Sequence, residues 1–436
     1  MLTAGTPSAS ATSSAAARIA VRSIVFGRGT RTSNACMYIS YTYPVRPYFR
    51  RVPRHTVWVL PLSVAAFVAF VMIFLLILAE GDVRYVLRVL TRQDSSITDV
   101  EWKQHTSVRA ATAPRSWPRA AGDCPIRQSL PTQKAQSIVV IHDGMLVCEW
   151  YGNGGAPDRP AAAFSVSKTV ISLLVSRAVA DGTIGGLDLP ITRAVPELGA
   201  RDARFSAIRL GDLIDMRSGI AFSDDISFPW VDRDYPSVYY ATDLAGTVVR
   251  RPRIASPPGP FTYNDYAPNL VGLAYRRLTG TLLTRQPLQR LWDDLGAEHP
   301  AEWCVDDHGF PYHESGLVVT SRDLARIGQL MLDGGQVAGR QVAPGAFLDR
   351  SLEPADRELV TTFAGIGVGY RNGWWILPRG DGGRDLAAMG AHGQIMVVSP
   401  STRTVIVRMG DDYQTNIQIA ATLQRLADRL ASVTPG

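Results

Sequence analysis

The run "VWVLPLSVAAFVAFVMIFLLILA", from Val57 to Ala79, constrains the chain most. These 23 residues carry no charge. As a helix rising ~1.5 Å per residue they reach ~34 Å, and a bilayer core needs only about 20 apolar residues. Arg50, Arg51 and Arg54 stand just before the run. It therefore reads as a transmembrane helix that divides the chain. Before it lies a basic cytoplasmic arm (1–56); after it come a juxtamembrane segment and linker (80–130) and a globular domain (131–436). A cleavable signal peptide is the competing reading. The run is long for one, and no clear A-x-A site follows it.

Charge supports the division. The formal net charge is +6. Residues 1–56 hold eight arginines and no acid, so residues 57–436 hold 37 cations against 39 anions, a net of −2. The basic balance belongs to the arm, and the rest has no nucleic-acid footprint. Residues 1–36, rich in Ala, Ser, Thr and Arg, lack the apolar content for a core and read as disordered. Arginines are retained in the cytoplasm, so the expected localisation is a single-pass membrane protein with its N-terminus inside and its domain extracytoplasmic. Cys36, Cys124, Cys148 and Cys304 form no CxxC pair, which excludes a zinc ribbon or a thioredoxin motif. Whether Cys124 and Cys148 pair stays open at this level.

The domain opens on "QSIVVIHDGMLVCEWYG" (136–152), two β-rich runs joined at Asp143-Gly144, a hairpin signal. Residues 165–180 have a helical pattern ended by "DGTIGG". Residues 183–320 alternate short helical patterns with Gly/Pro loops. "SRDLARIGQLMLDGG" (321–335) is an amphipathic helix stopped by glycines, and "IMVVSPSTRTVIVRMG" (395–410) is a second hairpin. "NIQIAATLQRLADRL" (416–430) closes the chain as a helix with Ile417, Ile419, Leu423, Leu426 and Leu430 near one face. Strands at both ends with helices between predict an α+β fold: an antiparallel sheet built from both ends of the domain, flanked by helices, with an all-helical insertion.

Chemistry enters with lysine. Only Lys103, Lys134 and Lys168 occur among 45 cations. Arginine stays charged, whereas a desolvated lysine can lose its proton. Lys168 lies in the apolar segment "AAFSVSKTVISLLVSRAVADG" (162–182), three residues after Ser165, so the two share a helix face. A neutral lysine beside a serine hydroxyl is a nucleophile–base pair. The plainer role for Ser165 is a helix N-cap. "DDHGFPYHE" (306–314) has two histidines, but its spacing fits no standard zinc set. No GxSxG, Walker or dinucleotide motif is present. No metal or cofactor is expected.

Further segments follow in a telling order: "LDLPITRAVPEL" (187–198), "IRLGDLIDMRSGI" (208–220), "PPGPFTYNDYAPNLVGLAYRRLTG" (257–280), "ESGLVVTSRDLARIGQLMLDGG" (314–335) and "GAHGQIMVVSP" (390–400). With "SVSK" (165–168) they resemble the serine hydrolases of the class C β-lactamase, DD-peptidase and esterase family. "GWW" (373–375) and "AHGQ" (391–394) bring the chain nearest to the 6-aminohexanoate-dimer hydrolase branch. The resemblance covers roughly 135–430. It implies a β-lactamase-like fold, with Ser165, not Ser167, as nucleophile. It implies Lys168 and Tyr263 as general base and acid, and no cofactor.

Two positions depart from the family pattern. Its Y-x-N motif here has Asp265 in place of asparagine, with Tyr266 as a rival to Tyr263. Its lysine-bearing third motif is replaced by Ala391-His392-Gly393, which favours an amide or ester over a β-lactam. The backbone N–H groups of Ser165 and Gln394 are the implied oxyanion donors. His392 is expected near Tyr263 or the substrate, and Gly393 and Asp265 in the substrate-binding region. The resulting expectation is a membrane-anchored serine hydrolase acting on a small amide or ester. The alternative is a non-catalytic, membrane-tethered binding or sensor domain on the same scaffold.

Overall fold

The computed structural model describes residues 56–92, 94–353, 361–363, 366–412 and 416–433, with backbone alone at 56–62, 361–363 and 366. The expected basic arm lies outside the described residues apart from Thr56. Helix α1 (Thr56–Leu78) takes up most of the apolar run. It ends where Glu80 and Gly81 take left-handed φ values of 55° and 83° and Gly81 N–H returns to Leu76 O at 2.8 Å, a helix stop made by left-handed residues. Asp82 Oδ1 then accepts from Tyr85 N–H at 2.8 Å and starts α2 (Val83–Arg92). Among the described residues no single helix is long and apolar enough to cross a membrane. Ser63–Leu78 and Val83–Arg92 meet that measure only as a pair bent by 114°. Val64–Gly436 forms one compact unit.

The expected first hairpin is present. Asp143 and Gly144, with φ of 46° and 74°, make the two-residue turn between β1 (Ala135–His142) and β2 (Met145–Tyr151). Six strands follow late in the chain: β3 (Thr361–Phe363), β4 (Ile366–Arg371), β5 (Trp374–Pro378), β6 (Arg384–Gly390), β7 (Gln394–Ser399) and β8 (Thr404–Gly410). The sheet order is β2-β1-β8-β7-β6-β5-β4-β3, antiparallel throughout. The two ends of the domain meet where β1 pairs with β8, Val140 opposite Ile406.

Every residue of β7 and β8 is buried, because helices cover both faces. Gly328 of the helix Ser321–Leu332 sits where a Cβ would come within 2.5 Å of Val405. Ile419 of the closing helix Asn416–Val433 packs at Gly393 beside Arg408. Val405 and Arg408, three apart on one strand, point to opposite faces. A smaller antiparallel sheet orders Gln104–Val108, Ala301–Val305, Leu317–Val319 and Ala161–Ala162. Between Ala162 and Ala301 the named elements are all helical, among them α3 (Ser167–Ala180) and α4 (Tyr266–Thr279). Cys124 and Cys148 form a disulfide that ties residues before the domain to β2.

Candidate active site

The site forms where the small sheet hands the chain to α3. Ala163 N–H bonds Leu317 O at 2.8 Å, and Leu317 N–H bonds Ser167 Oγ at 3.0 Å. Ser167 is thus used as a fastener. Phe164 takes a left-handed φ of 47°, uncommon for a bulky residue. It opens a 3-10 turn, Phe164–Val166, that carries Ser165 just ahead of α3. The sequence had the helix starting at Ser165; it starts at Ser167, and Ser165 is not an N-cap. From Ala162 to Ser176 every residue is buried except Ser165. The strand β6 passes directly behind: a Cβ on Gly390 would lie 2.5 Å from Ala163 O and 3.1 Å from Ser165 N.

Lys168 Nζ donates to Ser165 Oγ at 2.8 Å and to Glu314 O at 3.0 Å. Asp265 Oδ1 lies 2.8 Å from the same Nζ as an ion pair. Nζ also stands 4.8 Å from the centre of the Tyr263 ring, and Ser165 and Lys168 both act on the Tyr263 hydroxyl, each favouring its ionised form. Four residues separated by up to 100 positions therefore share one cluster. Tyr263 is held by rings: Trp375 stacks at 5.6 Å and Tyr370 meets it edge-on at 6.0 Å. Tyr266, the rival, is buried and gives its hydroxyl to Asp234 at 2.9 Å. Asn264 accepts from Ala267 N–H at 2.8 Å at the start of α4, so Asp265, not Asn264, reaches the lysine.

The charge state differs from the sequence expectation. Burial alone would lower the Lys168 pKa, but Asp265 and then Tyr263 outweigh it and raise the amine above the free-lysine range. The resting site therefore holds an ammonium, not the neutral amine inferred from the apolar context. Burial raises the Tyr263 hydroxyl, opposed by Lys168. Below them Glu314 is fully enclosed and accepts from Asn269 Nδ2 at 2.7 Å and Ser315 Oγ at 2.9 Å. Desolvation, then the Asp265 charge, pushes its carboxyl up to about 7. Asp224 is raised by partial desolvation and then by the Asp265 charge, with Lys168 opposing.

His392, expected near Tyr263 or the substrate, packs against Phe164. Its buried ring sits 3.1 Å from Ser95 Oγ, 3.4 Å from Asp411 Oδ1 and 5.0 Å from the Phe164 ring centre. These contacts fix the wall behind the Phe164–Val166 turn. Gly393 has φ of 77° and accepts from Arg408 Nη1 at 2.9 Å, where a side chain would collide. The Gln394 side chain is spent on backbone groups, donating to Gly410 O at 2.7 Å and His392 O at 3.1 Å and accepting from Gly410 N–H at 3.0 Å.

Glu314, Asp224 and Ser95 escaped sequence reading. Glu314 adjoins the "SGL" segment, and that adjacency was the available signal. Of the histidines in the same stretch, His313 is wholly buried against Phe310, and burial lowers its pKa to about 3. Lys103 is a structural lysine, donating to Tyr239 O at 3.0 Å over the Tyr239 and Tyr312 rings.

The family profile described as Beta-lactamase matches residues 132–428. The chain is 27% identical over 304 residues to the 6-aminohexanoate-dimer hydrolase of Paenarthrobacter ureafaciens, covering 65% of this chain and 74% of that protein. Among solved structures, a Bacillus anthracis protein assigned to the 6-aminohexanoate-dimer hydrolases superposes with a TM-score of 0.68 at 22% identity, over 77% of this chain and 92% of that one. A D-stereospecific amidohydrolase from Streptomyces gives 0.51 at 15% identity, over 70% and 98%. Such distant structures attest the fold. With the profile spanning most of its length, the chain belongs to the beta-lactamase family of serine hydrolases.

Proposed function

We propose that this protein is a membrane-anchored hydrolase that cleaves an amide or ester through an acyl-enzyme on Ser165. The observation that carries the reading is the Lys168 Nζ to Ser165 Oγ bond of 2.8 Å in a cluster with Asp265 and Tyr263. One proton first leaves the Lys168–Tyr263 pair for solvent, since an ammonium and a phenol are both poor bases. The pair then takes the Ser165 proton as Oγ bonds the carbonyl carbon. The backbone N–H groups of Ser165 and Gln394 receive the oxyanion, each donor contributing ~3–4 kcal/mol. Tyr263 passes the proton to the departing amine or alcohol as the C–N or C–O bond breaks. Water then attacks the ester, its proton goes to the same pair, and Ser165 leaves and is reprotonated.

A β-lactam is the less suitable substrate, because Ala391, His392 and Gly393 put no lysine at the third motif. The relative's name, 6-aminohexanoate-dimer hydrolase, supports an amide. The uncharged run 57–79 supports the anchor, with the arginine-rich arm inside. The Cys124–Cys148 disulfide supports an oxidising, extracytoplasmic compartment for the domain. Hydrolysis of p-nitrophenyl esters, linear amides and a cephalosporin by the full chain tests the reaction class, with Lys168→Arg as the control. Arginine cannot lose its proton, so turnover should fall about 100-fold or more. Undiminished turnover in Lys168→Arg, or a cephalosporin as the best substrate, would refute the reading.

A further inference from the structure

We infer that the catalytic domain docks on the bilayer through the loop at Ile226–Phe228, so that its cleft takes amphiphilic esters or amides presented at the lipid surface. This rests on the anchor proposed above. One side of α1 packs on the domain: Leu75 and Ala79 are buried with Val231, Tyr239 and Tyr240. The other side is bare: Phe70, Ile73 and Ile77 are exposed, Ile77 by 71%, and the turns ahead of them, with Val64, Phe67 and Val68, are exposed all round.

The bare face does not stop at the helix. Phe74 stacks on Phe228 with ring centres 6.3 Å apart, and Phe228 meets Trp230 edge-on at 5.0 Å. Phe228 and Ile226 are themselves 51% and 41% exposed. Their loop is braced from behind by Arg233, which donates to Ser227 O at 3.1 Å and Phe228 O at 3.1 Å and pairs with Asp225 at 3.1 Å. The two apolar tips are thus carried on a tied backbone.

Depth follows from the helix itself. The centre of the run 57–79 is residue 68, and Phe74 lies six residues on. At ~1.5 Å per residue that is ~9 Å from the midplane of a core whose half-thickness is ~15 Å. Phe74 then sits ~6 Å below the lipid boundary. A ring stacked on it shares that depth, and an exposed phenylalanine there has lipid as its favourable environment.

The same loop reaches the chemistry. Phe222 meets the ring of Tyr266, the residue after Asp265, edge-on at 5.5 Å, and Ser223 N–H and the Tyr266 hydroxyl share the Asp234 carboxylate at 3.0 and 2.9 Å. The Cα of Ser223 is five residues from that of Phe228, at most ~18 Å along an extended chain. The mouth of the site is therefore within one loop's reach of the docked tips. An alkyl chain held in the bilayer could stay there while its polar ester or amide enters the cleft.

The test uses the full chain with Cys36→Ser, reconstituted in phosphatidylcholine vesicles. Ile226→Cys and Phe228→Cys are labelled with a polarity-sensitive dye, and Asp188→Cys, on a fully projecting side chain, serves as the reference. We expect lipids spin-labelled on the upper acyl chain to quench the dye at 226 and 228 but not at 188. The double variant Ile226→Asp/Phe228→Asp should stay bound through an alkaline carbonate wash. It should lose about tenfold or more of its hydrolysis of p-nitrophenyl palmitate in vesicles, while hydrolysis of p-nitrophenyl acetate in water is unchanged. Wild-type protein released by the wash overturns the anchor itself. Protein retained with all three dyes unquenched overturns docking alone. Equal loss on both esters, or loss on neither, overturns the substrate class.

Discussion

Asp265 sets the charge of the site. Where the family pattern has asparagine, its carboxylate stands 2.8 Å from Lys168 Nζ and opposes loss of a proton from either Lys168 or Tyr263. Because the two groups share that loss, the limb of activity belongs to the pair. Replacing the carboxylate by an amide of the same shape removes the opposing charge, so the pair gives up its proton at lower pH. In Asp265→Asn the acid limb of kcat/KM should move down by about one unit or more; a limb that stays or moves up contradicts the assignment. Glu314 gives a stability prediction of opposite kind. Its carboxyl rises to about 7 from an ordinary value of 4.5, so the folded state binds more protons than the unfolded state between these limits. Stability is therefore lost as pH rises through that window. Glu314→Gln should melt a few degrees higher than wild type at pH 8 and at the same temperature at pH 4. Equal curves at pH 8 would show that the buried carboxylate costs nothing.

At the scale of elements, the position of Ser165 depends on a close pass of two backbones. Gly390 of β6 leaves no room for a Cβ beside Ala163 O, and its extended φ of −128° means that the obstacle is contact, not conformation. Gly390→Ala should push the Phe164–Val166 turn off β6. Turnover should drop about tenfold or more, the cost of a misplaced reacting group, while the fold survives; full activity in that variant would contradict the packing. The elements legible in the sequence were those set by local pattern. The Asp143-Gly144 turn, the helix at 321–332, the closing helix and the second hairpin follow from glycine placement and apolar period, and the structure contains each. The Phe164–Val166 turn was not legible, since nothing local puts Phe164 at φ of 47°; packing against His392 and the α1–α2 cluster holds it there. Strands β4 to β6 were also missed. In β5 and β6 nearly every residue is buried, so the polar alternation that marks a strand is absent. In β4 the half-buried positions that alternate with Val368 and Tyr370 include Gly367 and Gly369, so the alternation there carries little polar signal.

For the whole molecule, residues ahead of the family-matched region take part in the catalytic unit. Ser95 reaches His392, and Val86 and Val89 of α2 pack in one cluster with Phe164. That Ser165, Lys168 and Tyr263 meet in one cluster was legible through ordered motifs, because chemistry restricts residue type more tightly than packing does. Glu314 and Asp224 were not, since their relation to Lys168 exists only once distant segments meet. The central claim is that Ser165 carries the acyl group during turnover. The most direct measurement is rapid acid quenching of the full chain with p-nitrophenyl acetate, followed by intact mass and peptide mapping. We expect an acetyl adduct on the peptide containing Ser165 that forms and decays at rates matching product release, and no adduct or turnover in Ser165→Ala. Undiminished hydrolysis by Ser165→Ala, or an acetyl group on another residue during turnover, would contradict it.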